Sequence, residues 1–144
     1  MEAQMDETMS EFPGRQVAIQ TESDIVLARR AVREASLEAG FGVTDTTRIV
    51  TAASELARNI FKYAGEGVLY LRFLNEDQRG GLEIQFVDHG PGIPDLGRAM
   101  QEGYSTSGGL GMGLPGAKRL MDEMDIDSVV DRGTVVTLRK WRSA

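Results

Sequence analysis

Residues 88–93 read Asp88-His89-Gly90-Pro91-Gly92-Ile93, and they directly follow an alternating apolar segment, Leu82-Glu83-Ile84-Gln85-Phe86-Val87. The alternation predicts a half-buried β-strand, so Asp88 stands where a strand ends. A carboxylate there can accept a hydrogen bond from an amino group of a bound molecule, and the two glycines let the backbone approach that molecule closely. A plain turn is the alternative, because Asp and Gly both favour turns.

A second glycine-rich stretch lies downstream and runs straight into a predicted helix. It reads Ser105-Thr106-Ser107-Gly108-Gly109-Leu110-Gly111-Met112-Gly113-Leu114. Glycines before a helix expose backbone N–H groups, and the helix dipole adds partial positive charge, so the two together favour a phosphate group. The stretch matches neither a Walker A sequence, which needs Gly-Lys-Ser/Thr, nor a strict G-x-G-x-x-G after a strand. A phosphate-binding role for this stretch is supported mainly by its position after the strand-end carboxylate in the sequence.

Upstream, a predicted helix carries three polar side chains on one stripe. Glu55, Asn59 and Lys62 are spaced i, i+4, i+7 and so share one line of the helix. This line lies at the margin of the apolar face, which consists of Ile49, Ala53, Leu56 and Ile60. An acid, an amide and an amine so placed can serve as base, metal ligand and phosphate contact. The alternative is an ordinary solvated helix face with a Glu–Lys pair.

The remaining pattern predicts an α+β fold. We predict strands over 17–20, 68–74, 82–87, 126–130 and 134–140, a polar turn over 75–81, and helices over 24–39, 45–63, 95–102 and 114–123. Short turns between consecutive strands indicate a mixed, mostly antiparallel sheet, and helices gathered on one face make a two-layer sandwich. This order differs from the alternation typical of a doubly wound parallel sheet.

Composition limits the possible functions. The chain has 144 residues, no cysteine, one histidine and a net charge of −6. This excludes disulfides, thiolate metal sites and multi-histidine metal sites, and it argues against nonspecific binding to nucleic acid. No apolar run approaches the roughly 20 residues of a membrane span, and no signal-peptide pattern is present, so we expect a cytoplasmic protein without membrane partners. We predict a flexible acidic tail over 1–14 and one domain over 15–144.

The three segments resemble the N box, G1 box and G2 box of the GHKL (Bergerat-fold) ATPases, a family that includes gyrases, MutL proteins and sensor histidine kinases. Gly133-Thr134, on the last predicted hairpin, is similar to the final Gly-Thr element of that family. The resemblance spans about residues 16–142, and it implies the Bergerat fold and ATP binding.

Within the family, the chain is most similar to the compact serine kinases of the anti-sigma-factor type, and among these to the switch kinases of the stressosome. The similarity lies in Ser54–Ile60, Asp88–Pro94, Ser105–Gly116 and Lys118–Glu123. The single histidine, His89, falls inside the G1 segment rather than on a dimerisation helix, which makes a sensor histidine kinase an unsuitable interpretation.

The resemblance also implies residue roles. Asn59 would ligate Mg²⁺, Glu55 would activate a serine hydroxyl on the partner, and Asp88 would bind the adenine amino group with a water near Thr134. Between Gly103 and Gly113 there is no Lys or Arg, unlike the basic lid residue of related kinases. The implied nucleotide contacts are Asn59, Lys62, Asp88, Gly90, Gly92, Ile93, Gly108, Gly109, Leu110, Gly111, Met112, Gly113 and Thr134.

Family analogy finally implies the partners. The substrate would be a STAS-domain anti-anti-sigma protein, and the released kinase could then activate a serine phosphatase or another output module. Two alternatives stay open: an anti-sigma factor that sequesters a sigma factor directly, and a nucleotide-gated binding module with little transfer activity. The intact pair of Glu55 and Asn59 argues against the second alternative.

Overall fold

The computed structural model describes residues 15–93, residue 100 and residues 114–143. In these residues the elements are β1 (Gln16–Ile19), α1 (Glu22–Glu38), α2 (Val43–Asn59), β2 (Gly67–Glu76), β3 (Arg79–Asp88), α3 (Leu114–Leu120), β4 (Glu123–Val129) and β5 (Gly133–Trp141). A single π-helical turn, Ile60–Ala64, continues α2. The predicted acidic tail over 1–14 lies outside the described residues, as does the predicted helix over 95–102 apart from Met100.

The strands form one sheet in the order β1-β2-β3-β5-β4, and each neighbouring pair is antiparallel. Alternate residues of the central strands are fully buried beneath the helices, including Leu69, Leu71, Ile84 and Leu138. The helices contribute the matching apolar stripes, which centre on Val32 of α1 and Ile49 of α2. The predicted two-layer α+β sandwich is therefore confirmed.

The β2–β3 hairpin is tighter than predicted. We expected a polar turn over 75–81, but β2 continues to Glu76 and β3 begins at Arg79. Only Asp77 and Gln78 form the turn, with φ of 53° and 65°. Positive φ at both central residues gives a turn whose twist matches that of the strands. Because neither residue is Gly or Asn, the sequence carried no clear signal for it.

The third helix is shorter than predicted. It ends at Leu120 rather than at Glu123 because the next residues join the sheet. The backbone N–H of Asp122 donates to Arg139 O at 2.9 Å, and Trp141 N–H donates to Asp122 Oδ2 at 2.8 Å. These bonds compete successfully with one more helical turn, and Glu123 begins β4.

The start of α1 is fixed by a carboxylate in its first turn. Oδ2 of Asp24 accepts the backbone N–H groups of Gln20 at 2.9 Å and Thr21 at 3.0 Å. These bonds, chiefly the one from Gln20, hold the pKa of Asp24 below its ordinary value. The ionised carboxylate thus stabilises the helix start in the way a capping box does.

We expect Asp24→Asn to lower the free energy of unfolding at pH 7. The folded pKa is depressed, so the contribution is complete above the unfolded pKa of about 4 and is lost as the pH falls through the folded value. Urea unfolding at pH 7 and pH 3 should therefore show a difference between variant and wild type that shrinks on acidification. Asp127→Asn is the control, because no described residue donates to that exposed carboxylate. A difference for Asp24→Asn that is equal at both pH values would contradict the assignment.

Candidate functional site

A cleft opens where the end of α2 faces the ends of β3 and β5. Its walls are mostly apolar and come from Leu56, Ile60, Tyr63, Ala64, Phe86, Pro91, Gly92, Ile93, Leu114 and Val136. Three polar side chains complete the lining, namely Asn59, Asp88 and Thr134. A mostly apolar cleft with a few polar groups that converge on it is the usual form of a small-molecule site. The structure thus brings together five of the predicted site residues, since Gly92 and Ile93 belong to the same lining.

Asn59 is the last residue of α2, and the π-helical turn begins directly after it. The N–H of Gly65 closes that turn on Ile60 O at 2.9 Å. Such turns are rare in proteins and recur at functional sites. In this one, the wider turn holds Ile60, Tyr63 and Ala64 against the cleft, while Asn59 projects into it from the end of the regular helix.

Glu55 and Lys62, the neighbours predicted on the same stripe, do not line the cleft. Glu55 lies one turn before Asn59 with its side chain 37% exposed, and its Oε1 is 3.0 Å from Nη1 of Arg58. Lys62 is exposed within the π-helical turn, and its Nζ lies 5.4 Å from the ring centroid of Tyr63. Because the π-helical turn has a different period from the α-helix, the seven-residue spacing no longer keeps Lys62 in line with Glu55.

Asp88 occupies the end of β3, as predicted. Its Oδ1 accepts the backbone N–H of Gly90 at 2.9 Å, which leaves Oδ2 without a donor among the described residues. A Cβ on Gly90 would lie 2.5 Å from the Cβ of Ala64, so glycine is needed for the loop to rest on the π-helical turn. The packing of the fold therefore requires glycine at position 90 even without a bound ligand.

The loop over 88–93 is also clasped by the β4–β5 hairpin. The N–H of Asp131 donates to Pro91 O, and the N–H of Ile93 donates to Ser128 Oγ, each at 2.8 Å. Gly92 has φ of 78°, and a Cβ there would lie 2.5 Å from Val129 O. We call this set of contacts the hairpin clasp. It fixes the position of the loop from the side opposite α2.

Ser128 is a site residue that the sequence analysis missed. Its Oγ lies 2.8 Å from Oγ1 of Thr134, which is 8% exposed and lines the cleft. The predicted strands over 126–130 and 134–140 gave no signal for this pair, because they would place Val130 opposite Thr134. In the structure Val129 stands opposite Gly133, and Ser128 therefore stands opposite Thr134. The apolar lining also had no signal, because its members come from separate segments that only the fold brings together.

The predicted phosphate contacts at Gly108, Gly109, Leu110, Gly111, Met112 and Gly113 lie outside the described residues. Leu114, which follows them, is the first residue of α3 and lines the cleft. Leu114 is therefore the one residue of the predicted stretch over 105–114 that the structure describes in the cleft lining. In the described part of the chain there is no helix long and apolar enough to cross a membrane.

Comparison with known proteins identifies the family. The histidine kinase-like ATPase domain matches residues 19–140. The chain belongs to this family. The histidine kinase domain of the blue-light activated kinase EL346 from Erythrobacter litoralis superposes with a TM-score of 0.52 at 19% identity, covering 81% of this chain and 59% of that one. This likeness supports the fold.

Sequence relatives define the enzyme class. The chain is 52% identical over 125 residues to the serine/threonine-protein kinase RsbT of Bacillus subtilis, covering 87% of this chain and 94% of that protein. It is 35% identical over 106 residues to an anti-sigma F factor of Bacillus licheniformis, covering 69% and 71% of the two chains. Together with the ATPase domain, these similarities make the chain a protein serine/threonine kinase that uses ATP.

Gly133 tests the importance of the hairpin clasp in this kinase. Its φ is 129°, and a Cβ there would lie 2.1 Å from Asp88 O. We expect Gly133→Ala to lower the free energy of unfolding by at least about 2 kcal/mol, because both backbone strain and a steric clash result.

Gly116→Ala is the matched control for Gly133→Ala. Among the described residues, a Cβ on Gly116, inside α3, would meet only Arg119 Nη2 at 4.0 Å. Alanine is the better helix former, so this variant should gain up to about 1 kcal/mol. Urea unfolding of both proteins checks the opposite signs, and equal effects would show that the clasp adds no special constraint.

Proposed function

We propose that this kinase transfers the γ-phosphate of ATP, bound with Mg²⁺, to a serine or threonine of a STAS-domain anti-anti-sigma partner in the cytoplasm. The observation that carries the proposal is that Asn59 and Asp88 line the same cleft, with Glu55 one helical turn before Asn59. The chain that holds this cleft is 52% identical to a serine/threonine kinase.

The adenine base fits the end of the cleft at Asp88. Phe86, Ile93 and Val136 supply apolar surface there, while the carboxylate supplies an acceptor for the exocyclic amino group. Oδ1 already accepts the N–H of Gly90, which holds the carboxylate in one orientation and leaves Oδ2 for the base. The positive φ of Gly92 lets the loop turn beneath this site.

The phosphate end fits Asn59 and the start of α3. An amide oxygen is a hard ligand of the kind that Mg²⁺ accepts, and Mg²⁺ in kinases is usually held by one or two protein oxygens together with phosphates and waters. Among the described residues, no group of three or more acidic, histidine or cysteine side chains is arranged to hold a metal ion. When bound, Mg²⁺ neutralises phosphate charge and positions the phosphates. We infer that backbone N–H groups of 108–113 also bind the phosphates.

We infer that Glu55 receives the proton of the incoming hydroxyl. It lies outside the apolar lining and is partly exposed, so a partner's side chain can reach it. Arg58 holds the carboxylate at 3.0 Å and so limits its rotation. Phosphoryl transfer depends chiefly on positioning and charge, and a carboxylate near the nucleophile supplies general-base assistance.

The second candidate function is direct sequestration of a sigma factor. It is favoured by the similarity to anti-sigma F factors at 30–35% identity. The higher identity to the kinase RsbT favours the STAS substrate as the main partner. A pull-down separates the two: a STAS protein with a serine phosphatase or other output module supports the proposal, whereas a sigma factor supports the alternative.

Asp88→Asn tests the adenine site. An asparagine can turn its amide donor towards the base amino group, and a mismatched buried polar pair costs about 1–3 kcal/mol, or roughly 5- to 150-fold in affinity. Calorimetry with MgATP should therefore show a large loss, while urea unfolding shows a folded domain. The matched control is Asp127→Asn, which lies on β4 and outside the cleft. Unchanged MgATP affinity in a folded Asp88→Asn protein would remove Asp88 from the site.

Glu55→Gln tests the catalytic role. We expect single-turnover transfer of phosphate from ATP to a STAS-domain protein to fall by about 10²–10⁴, the usual loss of a general base. ATP affinity and partner affinity should stay within about twofold, because the variant keeps shape and leaves the cleft lining intact. If Glu55 were only a solvated helix residue, transfer would be unchanged and stability would shift by under about 0.5 kcal/mol. Loss of partner binding along with transfer would instead assign Glu55 to docking.

A further inference from the structure

Three polar side chains form a row across the end of the sheet. Asp88 of β3 stands directly opposite Thr134 of β5, and Thr134 stands directly opposite Ser128 of β4. Residues directly opposite each other in antiparallel strands project from the same face. The row is therefore carboxylate, hydroxyl, hydroxyl, and it begins in the cleft and ends at the hairpin clasp.

Ser128 has three polar contacts. Its Oγ accepts the N–H of Ile93 at 2.8 Å, lies 2.8 Å from Thr134 Oγ1, and lies 3.4 Å from Gly133 O. A serine hydroxyl has only one proton to donate. That proton can go to Thr134, or it can go to Gly133 O while Thr134 donates to Ser128.

The distances favour donation from Ser128 to Thr134. The contact of 3.4 Å to Gly133 O is longer than the usual O–H···O hydrogen bond of about 2.5–3.0 Å, whereas the Ser128–Thr134 distance of 2.8 Å lies within that range. With the proton of Ser128 on Thr134, the oxygen of Thr134 is an acceptor towards Ser128. Its own proton then points away from Ser128, and Thr134 lines the cleft.

We propose that Ser128 fixes the polarity of the Thr134 hydroxyl, and through it the preference of the site for adenine over 6-oxopurines. The inference rests on the proposed binding of the base at Asp88. The row presents an acceptor, Asp88, beside a donor, Thr134. Adenine presents the complementary pair, an amino donor at position 6 and an acceptor at N1. Hypoxanthine presents the reverse, a carbonyl at position 6 and a donor at N1.

The polarity matters because a hydroxyl that is free to rotate does not discriminate. Without Ser128, Thr134 can donate to the N1 of adenine or accept from the N1–H of hypoxanthine. The carboxylate of Asp88 still disfavours the 6-carbonyl, so part of the preference remains. Loss of Ser128 should thus reduce selectivity more than it reduces adenine binding.

A purely structural role for Ser128 predicts a different result. In that case Ser128 would only hold Ile93 through its N–H, and its loss would loosen the loop for every base alike. Affinity for all purine nucleotides would fall by the same factor, and their ratio would be unchanged. The ratio is therefore the measurement that separates the two roles.

The experiment compares calorimetric affinities of MgADP and MgIDP for the full chain. IDP differs from ADP only in its base, hypoxanthine, which lacks the bulky 2-amino group of guanine. We expect Ser128→Ala to lower the ratio of ADP to IDP affinity by roughly 5- to 20-fold, the range expected when one mismatched polar pair is relieved. Ser128→Thr keeps the hydroxyl and should keep the ratio within about twofold of wild type.

Ser36→Ala is the matched control for removal of a serine hydroxyl elsewhere. That hydroxyl donates to Val32 O at 2.7 Å within α1, outside the cleft lining, and its loss should leave the ratio unchanged. If Ser128→Ala does not fold, Thr134→Val provides the same test. It removes the donor itself and should lower the ratio by a similar factor.

Failure of the inference can be told apart from failure of the proposed function. If the wild type binds neither nucleotide, or if Asp88→Asn leaves both affinities unchanged, then the proposed adenine site is wrong and the inference falls with it. If Asp88→Asn abolishes binding but Ser128→Ala lowers both affinities equally, or neither, the site stands and the role of Ser128 is overturned. A lower ratio in Ser128→Ala that Ser128→Thr preserves supports the proposal.

Discussion

The cleft depends on one close approach of two backbones. Gly133, at the start of β5, lies against the carbonyl of Asp88 at the end of β3, at a separation that no side chain at position 133 would permit. This approach lets Thr134 stand directly opposite Asp88 and brings the hairpin down onto the loop over 88–93. Gly92 is crowded by the same hairpin at Val129, whereas Gly90 is crowded from the other side by Ala64 of the π-helical turn. One steric constraint thus determines where the polar groups of the site meet.

The site combines rigid parts with groups placed at the ends of elements. Asn59 ends a helix, Asp88 ends a strand and Leu114 begins a helix, while the bodies of these elements are anchored in the apolar core. The polar side chains at such positions, Asn59 and Asp88, have a fixed origin and stay partly exposed, whereas Leu114 is buried. Glu55 differs because it lies within the helix, so its carboxylate is oriented by Arg58 rather than by the cleft walls.

The sequence predicted the fold class, the element order and most of the polar site, because these depend on periodicity and on residues with special backbone requirements. It failed where long-range contacts decide the outcome. The third helix ended early because Asp122 bonded to β5, and Lys62 left its predicted line because a π-helical turn intervened. Asp77 and Gln78 adopt positive φ without being Gly or Asn, so the tight turn gave no local signal. Neither Ser128 nor the apolar lining could be found from the sequence, because the fold determines the register of β4 against β5 and the packing of the separate segments.

The strand order has a consequence for how the chain assembles. Short turns join β2 to β3 and β4 to β5, so these two hairpins can form locally. Strand β3 can pair with β5 only after the chain between Asp88 and Gly133 has been closed into a loop. Loop closure costs entropy, and this cost must be met before the pairing contributes any stability. The cleft lies at the end of this β3–β5 pairing, with Asp88 on one strand and Thr134 on the other. A nucleotide that contacts both Asp88 and Thr134 would therefore hold the β2–β3 hairpin and the β4–β5 hairpin together.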